Sequence, residues 1–306
     1  MTTILLGPQR FVTTVGPAVR SLGVDGPVAV VNAGWEERES DDGELNDLLG
    51  GRAANLRLHH RMFDVIDKDD RFRAAALAFR DRHDELRAFY GLRLQAAMDA
   101  VEAVMHRTST HGVRDSALVA AVESIRDVDR WYAAVLKDLY RELDSTAPPD
   151  ESEALGWHRG EVDAILRDCA AVVLPGGHVG TLLRALRLFR IVLPPDRPVV
   201  AWSAGAMALC DKVVLFHDFA PQGVRAPELY DRGLGRLPHT IVLPHARRRL
   251  RLDDHAALAV LARRFPDDHL VLLDDGAQLR FAVGHVDPPA HARVLTREGA
   301  IEQVGA

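Results

Sequence analysis

The chain has 306 residues, 47% of them hydrophobic and 27% charged, and a net charge of −6. That is ample apolar material for a folded core and the wrong sign of charge for general nucleic-acid binding, which needs a basic surface to displace counterions. No apolar run approaches the roughly 20 residues that span a bilayer, and the only two cysteines, Cys169 and Cys210, have no framework spacing; a cytoplasmic protein without nucleic-acid or membrane partners is expected.

Residues 4–6 read as a first strand ending at Gly7-Pro8, with neither the basic leader nor the apolar stretch of a signal peptide. A helix is predicted over 12–22 and closed by Gly23. A second strand is predicted over 27–34, β-branched and apolar on both faces, which is the mark of a buried parallel sheet. Residues 41–49 read as a helix stopped by Gly50-Gly51, and residues 56–65 as a third strand.

The pattern then changes. From 69 to 106 there is no proline and one glycine, Gly91, while Phe72, Ala76, Phe79, Leu86, Phe89, Leu94, Met98, Val101 and Met105 recur at helical spacing. A second helical run covers 116–143, and the break between them lies at 108–112. A long helical hairpin over 69–143, inserted into a single α/β domain of residues 1–306, is the expectation. A third helix over 153–168 leads back into sheet: strands over 170–174, 198–202, 240–243 and 269–273, helices over 181–189 and 253–265, then two terminal antiparallel strands over 278–283 and 292–304.

The segment Val199-Val200-Ala201-Trp202-Ser203-Ala204-Gly205-Ala206 carries the chemistry. A buried strand runs straight into Ser203, and small residues then open a helix, as in a nucleophile elbow. The sharp turn lifts the hydroxyl clear of the sheet and sets the Ala204 N–H where it can donate to an oxyanion. A serine needs a base, and the base an orienting carboxylate. Among 14 histidines, His245 follows a strand at Leu243-Pro244, with His239 its competitor; Asp274 and Asp275 follow another. Carboxyl ends of parallel strands converge on one edge, so Ser, His and Asp are brought together in that chain order. An α/β-hydrolase runs Ser, Asp, His, and is disfavoured.

Pro175-Gly176-Gly177, Trp202-Ser203-Ala204-Gly205-Ala206, Leu243-Pro244-His245 and Leu273-Asp274-Asp275-Gly276 together resemble, in order and spacing, the peptidase S51 family of aspartyl dipeptidases and cyanophycinases, within the class I glutamine amidotransferase-like superfamily. The likeness is good over 153–283 and weak over 4–65. It implies a mainly parallel sheet flanked by helices in flavodoxin-like layers. It also implies a Ser-His-Glu triad, with Ser203 as nucleophile, His245 as base and Asp275 where the family has glutamate, and the Gly177 N–H as the second oxyanion donor. The chain departs from the family at Ala201 (usually glycine), at His178-Val179 after the glycines, at Asp275, and in having the hairpin, for which two roles stand open: a cap over the site or an interface in a homo-oligomer.

Candidate substrate contacts are Gly176, His178, Trp202, Asp218 and Arg247. Asp218 either lines the pocket or only ends its segment, and the run Arg247-Arg248-Arg249-Leu250-Arg251 either pairs with a substrate carboxylate or is solvated surface. His59-His60 suggest a metal, but adjacent histidines on a strand point apart and no nearby Cys/Asp/Glu set completes a site, so a solvated or packing role and no metal are expected. Acyl transfer by such a triad requires no cofactor. The expected activity is hydrolysis of a short peptide or isopeptide beside an acidic residue. The alternatives are another serine amidase or transferase, and a catalytically silent binding protein. A true glutamine amidotransferase is disfavoured, because that branch uses a cysteine where Ser203 stands.

Overall fold

The computed structural model describes residues 2–109, 111–219, 226–282 and 287–305. The first part of the chain folds as β1 (Thr2–Leu6), α1 (Val15–Arg20), β2 (Val28–Val30), a 3-10 turn over Ala33–Arg38, α2 (Gly43–Leu48), β3 (Ala53–Asn55) and α3 (Leu58–Lys68). The hairpin follows as α4 (Asp70–Met105) and α5 (Val113–Thr146), and then α6 (Glu153–Asp168), β4 (Ala171–Leu174), α7 (Val179–Leu188), β5 (Val199–Trp202) and α8 (Ala204–Ala208). The last part contains β6 (Lys212–Leu215), β7 (Glu228–Arg232), β8 (Thr240–Pro244), α9 (Ala246–Arg249), α10 (His255–Arg264), β9 (His269–Leu273), β10 (Gln278–Ala282), β11 (Arg293–Leu295) and β12 (Ile301–Gln303).

The main sheet has the order β10-β1-β5-β4-β2-β3, parallel except for β10. Its central strands are apolar on both faces because helices cover both. Leu5, Ala29, Val172, Leu174, Val199 and Ala201 face one layer with Leu155, Val162, Leu182 and Leu186. The alternating set Ile4, Leu6, Val28, Val30, Val173, Val200 and Trp202 faces the other, with Val15, Val19, Leu45 and Leu49. The α/β layering with an inserted helical hairpin is therefore as the sequence predicts.

Two features differ from that reading. Residues 58–68 are helical, and the third strand is the short Ala53–Asn55 just before them. The buried Glu39 accounts for this: its two carboxylate oxygens accept the His59 and His60 N–H groups at 3.0 Å each, capping α3. Second, the strands are not all in one sheet. β8 and β9 pair with each other and with β11 and β12 in a four-stranded sheet, and β6 and β7 form a two-stranded ribbon. The terminal antiparallel stretch divides into β11 and β12, and the predicted strand end at Val283 lies outside the described residues. The two larger sheets meet where the β9–β10 connection crosses between them. There the Gly7 N–H donates to the Ala277 carbonyl at 2.7 Å, and any side chain on Gly7 would meet the Asp274 carbonyl oxygen at 1.9 Å.

The hairpin builds its own core from Leu86, Tyr90, Leu94, Val101, Val122, Ile125, Tyr132, Leu136 and Leu139, and Val260 of α10 joins it. Asp69 caps α4 by accepting the Phe72 N–H at 2.8 Å. Among the described residues no helix is long and apolar enough to cross a membrane.

Candidate active site

Ser203 sits between β5 and α8 with φ 50° and ψ −120°, a conformation that strongly favours glycine. The surroundings hold it there. A Cβ on Gly205 would lie 2.0 Å from the Leu174 carbonyl oxygen, and one on Gly176 would lie 3.0 Å from Cβ of Ser203. Position 205 tolerates only glycine because the backbone at the end of β4 presses directly on it, whereas a side chain at 176 would crowd Ser203 itself. Ala201, the departure from the family pattern, is fully buried in the sheet core.

His245 ends β8 in the left-handed region (φ 58°), and its N–H donates to the Leu273 carbonyl at 3.0 Å, which ties it to the end of β9. This delivers the imidazole to the serine from the second sheet: Ser203 Oγ and His245 Nε2 are 3.2 Å apart. The competitor His239 is elsewhere, with Nδ1 3.1 Å from the Asp267 carbonyl oxygen.

The aspartates stand close by but are engaged. Asp275 is paired with Arg248 at 2.5 Å, and that guanidinium lies over the Phe11 ring at 4.6 Å. Asp274 accepts the Arg247 N–H at 2.9 Å and pairs with Arg293 at 2.8 Å. Among the described residues the ring of His245 is hydrogen-bonded to Ser203 and to neither carboxylate. Asp275 therefore acts on the imidazole through charge rather than through a hydrogen bond.

Beside the serine, Gly177 has φ 131°, and a Cβ there would strike the Gly34 carbonyl oxygen at 2.3 Å. The same carbonyl accepts the His178 N–H at 2.7 Å. The turn after β2 thus clamps the glycine loop from behind. The N–H groups of Gly177 and Ala204 make no hydrogen bond with other described residues, so both remain available as donors.

A cavity of about 660 Å³ opens on this pair, lined by Gly176, Gly177, Ser203, Ala204 and His245 together with Arg87, Glu228, His217 and Arg249, and by apolar Val179, Met207, Leu215 and Phe216. Of the remaining substrate-contact candidates, Trp202 packs into the α1–α2 side of the main sheet. His178 caps α7, its Nδ1 accepting the Thr181 N–H at 3.1 Å. Asp218 accepts the Arg251 N–H at 2.7 Å, bracing the segment after β6 against the one after α9, and is not among the residues that line the cavity. Arg247 is largely exposed and points to Asp274.

Of the run Arg247-Arg248-Arg249-Leu250-Arg251, the arginine that lines the cavity is Arg249. The residue is half-buried, and its guanidinium has no hydrogen-bond or ion-pair partner among the described residues. Its position was legible as the residue four after His245, one helical turn on and so on the same side. Arg87 and Glu228 left no comparable signal, because one comes from the hairpin and the other from the ribbon.

Burial pushes the His245 imidazole below its ordinary value of 6.5, the Arg249 and Arg248 cations add to this, and the Asp275 and Asp274 charges oppose it. The neutral imidazole therefore persists to lower pH than usual. An NMR titration, with the His245 signal assigned by its loss in His245→Gln, is expected to give a midpoint below 6.5. Arg249→Met raises that midpoint, because a cation is removed, and Asp275→Asn lowers it, because an anion is removed.

His59 and His60 lie at the start of α3 rather than on a strand, and the fold brings Glu39 to them although it is 20 residues away in sequence. The three side chains offer ligand atoms within 4.8 Å of one another. The Glu39 oxygens are, however, already spent on two backbone N–H groups and on His60 Nδ1 at 2.8 Å, which is a helix cap.

No family model matches the chain, and no curated protein matches it. Among solved structures, one described as a peptidase from an acI-B1 actinobacterium is similar at 15% identity and a TM-score of 0.45, with 100% of this chain and 95% of that one covered. A likeness at that level carries nothing about activity, and the functional reading rests on the geometry of the site.

Proposed function

We propose that this chain is a serine-type amide hydrolase, working as peptidase S51 enzymes do, on a short peptide or isopeptide that carries a carboxylate near the scissile bond. The observation that carries the reading is the 3.2 Å contact between Ser203 Oγ and His245 Nε2 at a strained elbow, flanked by two uncommitted N–H donors. In the first half-reaction Ser203 Oγ bonds to the amide carbon while His245 Nε2 takes the hydroxyl proton. The carbonyl oxygen becomes an oxyanion held by the N–H groups of Gly177 and Ala204. The C–N bond then breaks, and the amine leaves with the proton from His245. Water, deprotonated by the same imidazole, next attacks the ester; the C–O bond to Ser203 breaks and the serine regains its proton. The Asp275 charge favours the imidazolium that forms in each half-reaction.

Arg249 supplies the preference for acidic substrates. A half-buried guanidinium without a partner is costly unless a ligand anion completes it. In a panel of short peptides paired with their carboxamide analogues, the carboxylate forms are expected to have the higher kcat/KM. Arg249→Met should erase this preference, by about 10- to 100-fold, the worth of a charged hydrogen bond. Equal rates for the two forms in the wild type would remove the acidic-substrate assignment. The engagement of Asp275 by Arg248 favours a second reading, a binding protein with an idle triad, which serine labelling separates from the first.

A further inference from the structure

Arg87 and Glu228 come from the hairpin and the ribbon, and they meet in the wall of the cavity that holds Ser203, His245 and Arg249. Arg87 Nη2 lies 2.9 Å from Glu228 Oε2, and their side chains keep 37% and 23% of their exposure, so both face open space. Each retains unused capacity, since a guanidinium has five N–H donors and a carboxylate about four acceptor sites. Neither has another side-chain hydrogen-bond partner among the described residues.

Their positions are held from behind. The Arg87 guanidinium lies over the Tyr230 ring at 5.2 Å, Tyr132 donates to the Tyr230 carbonyl at 2.8 Å, and the Leu229 N–H donates to the Tyr90 hydroxyl at 2.9 Å. A fixed cation and a fixed anion in contact match a ligand whose ammonium and carboxylate are also neighbours. The α-amino-acid head, with both groups on one carbon, has that arrangement. The two ends of an ordinary dipeptide do not.

We infer that Arg87 and Glu228 bind the free α-carboxylate and α-ammonium of one residue of the substrate, so that the amide cleaved by Ser203 is on that residue's side chain: an ω-linked aspartyl or glutamyl peptide. This rests on the serine-hydrolase reading above and narrows it. The remaining cation, Arg249, then takes the carboxylate of the amino acid on the leaving side.

The test is calorimetric binding to the Ser203→Ala protein, which cannot turn the ligand over. The probes are β-aspartylglycine, its Nα-acetyl and α-methyl ester derivatives, and α-linked aspartylglycine. The β-linked dipeptide is expected to bind at least about tenfold more tightly than each of the other three, the scale of one charged hydrogen bond. Added to the same protein, Glu228→Gln should erase the penalty for acetylation but not that for esterification. Arg87→Met should do the reverse, and Arg87→Lys should restore part of the sensitivity to the ester. A misfolded wall would weaken all four probes together. Equal binding of the α- and β-linked dipeptides, no binding of either, or unchanged penalties in the variants would overturn the inference. Covalent labelling of Ser203 in the otherwise wild-type protein separates the two levels. Labelling without linkage selectivity leaves the hydrolase and removes this inference, and selectivity without labelling keeps the site and removes the chemistry.

Discussion

Treated with a neutral fluorophosphonate, the protein is expected to gain one adduct, on Ser203, and Ser203→Ala to gain none. The probe forms a bond from Ser203 Oγ to phosphorus and expels fluoride, so it reports nucleophile activation without requiring the substrate. Activation is expected because Oγ lies 3.2 Å from His245 Nε2, and because burial and the flanking arginines keep that imidazole neutral and able to accept the proton. His245→Ala should slow labelling by about 10²- to 10⁴-fold, the usual worth of a general base. Asp275→Asn should cost less than His245→Ala, since Asp275 is bonded to Arg248 rather than to the imidazole. Intact-mass spectrometry reads all four proteins. A wild type that stays unlabelled, or a Ser203→Ala variant that labels equally, would sink the hydrolase reading.

The largest stability effect is expected far from the serine. Arg264 of α10 is 3% exposed and donates to both oxygens of Asp129 on α5, at 2.6 and 2.5 Å. It also donates to the Tyr90 hydroxyl of α4 at 2.8 Å and to the Pro227 carbonyl. One guanidinium thus joins both hairpin helices to α10 and to the segment entering β7, which carries Glu228. Asp129→Ala leaves that cation buried without its counter-ion and should destabilise the fold by about 3–5 kcal/mol. Replacing both partners, as Asp129→Leu with Arg264→Met, should recover much of the loss, because no charge is then stranded. Urea unfolding followed by tryptophan fluorescence measures both. A single variant as stable as the wild type would show that the network does not bind the hairpin to the rest. Since Tyr90 also anchors Leu229, the single variant should disturb the Arg87–Glu228 wall more than the serine elbow.

Local pattern decided much of this protein. The apolar runs at 171–174 and 199–202, the small residues around Ser203, the glycine pair at 176–177 and the helical periodicity of α4 and α5 all express constraints that act within a few residues, and each element formed where its pattern predicts. The helix at 58–68 did not, because its N-terminal N–H groups are satisfied by Glu39 from another turn of the chain. The division into two sheets was equally hidden, since strand runs reveal burial but not their neighbours. That division is what carries His245 across to Ser203. It also decides which aspartate faces which arginine, a matter of side-chain partners from several elements. Asp275 looked in sequence like the imidazole's partner, yet Arg248 holds it. Arg87 and Glu228 reach the cavity beside Arg249 only because an inserted hairpin and a ribbon converge there, and long-range packing of that kind leaves no mark in residue spacing.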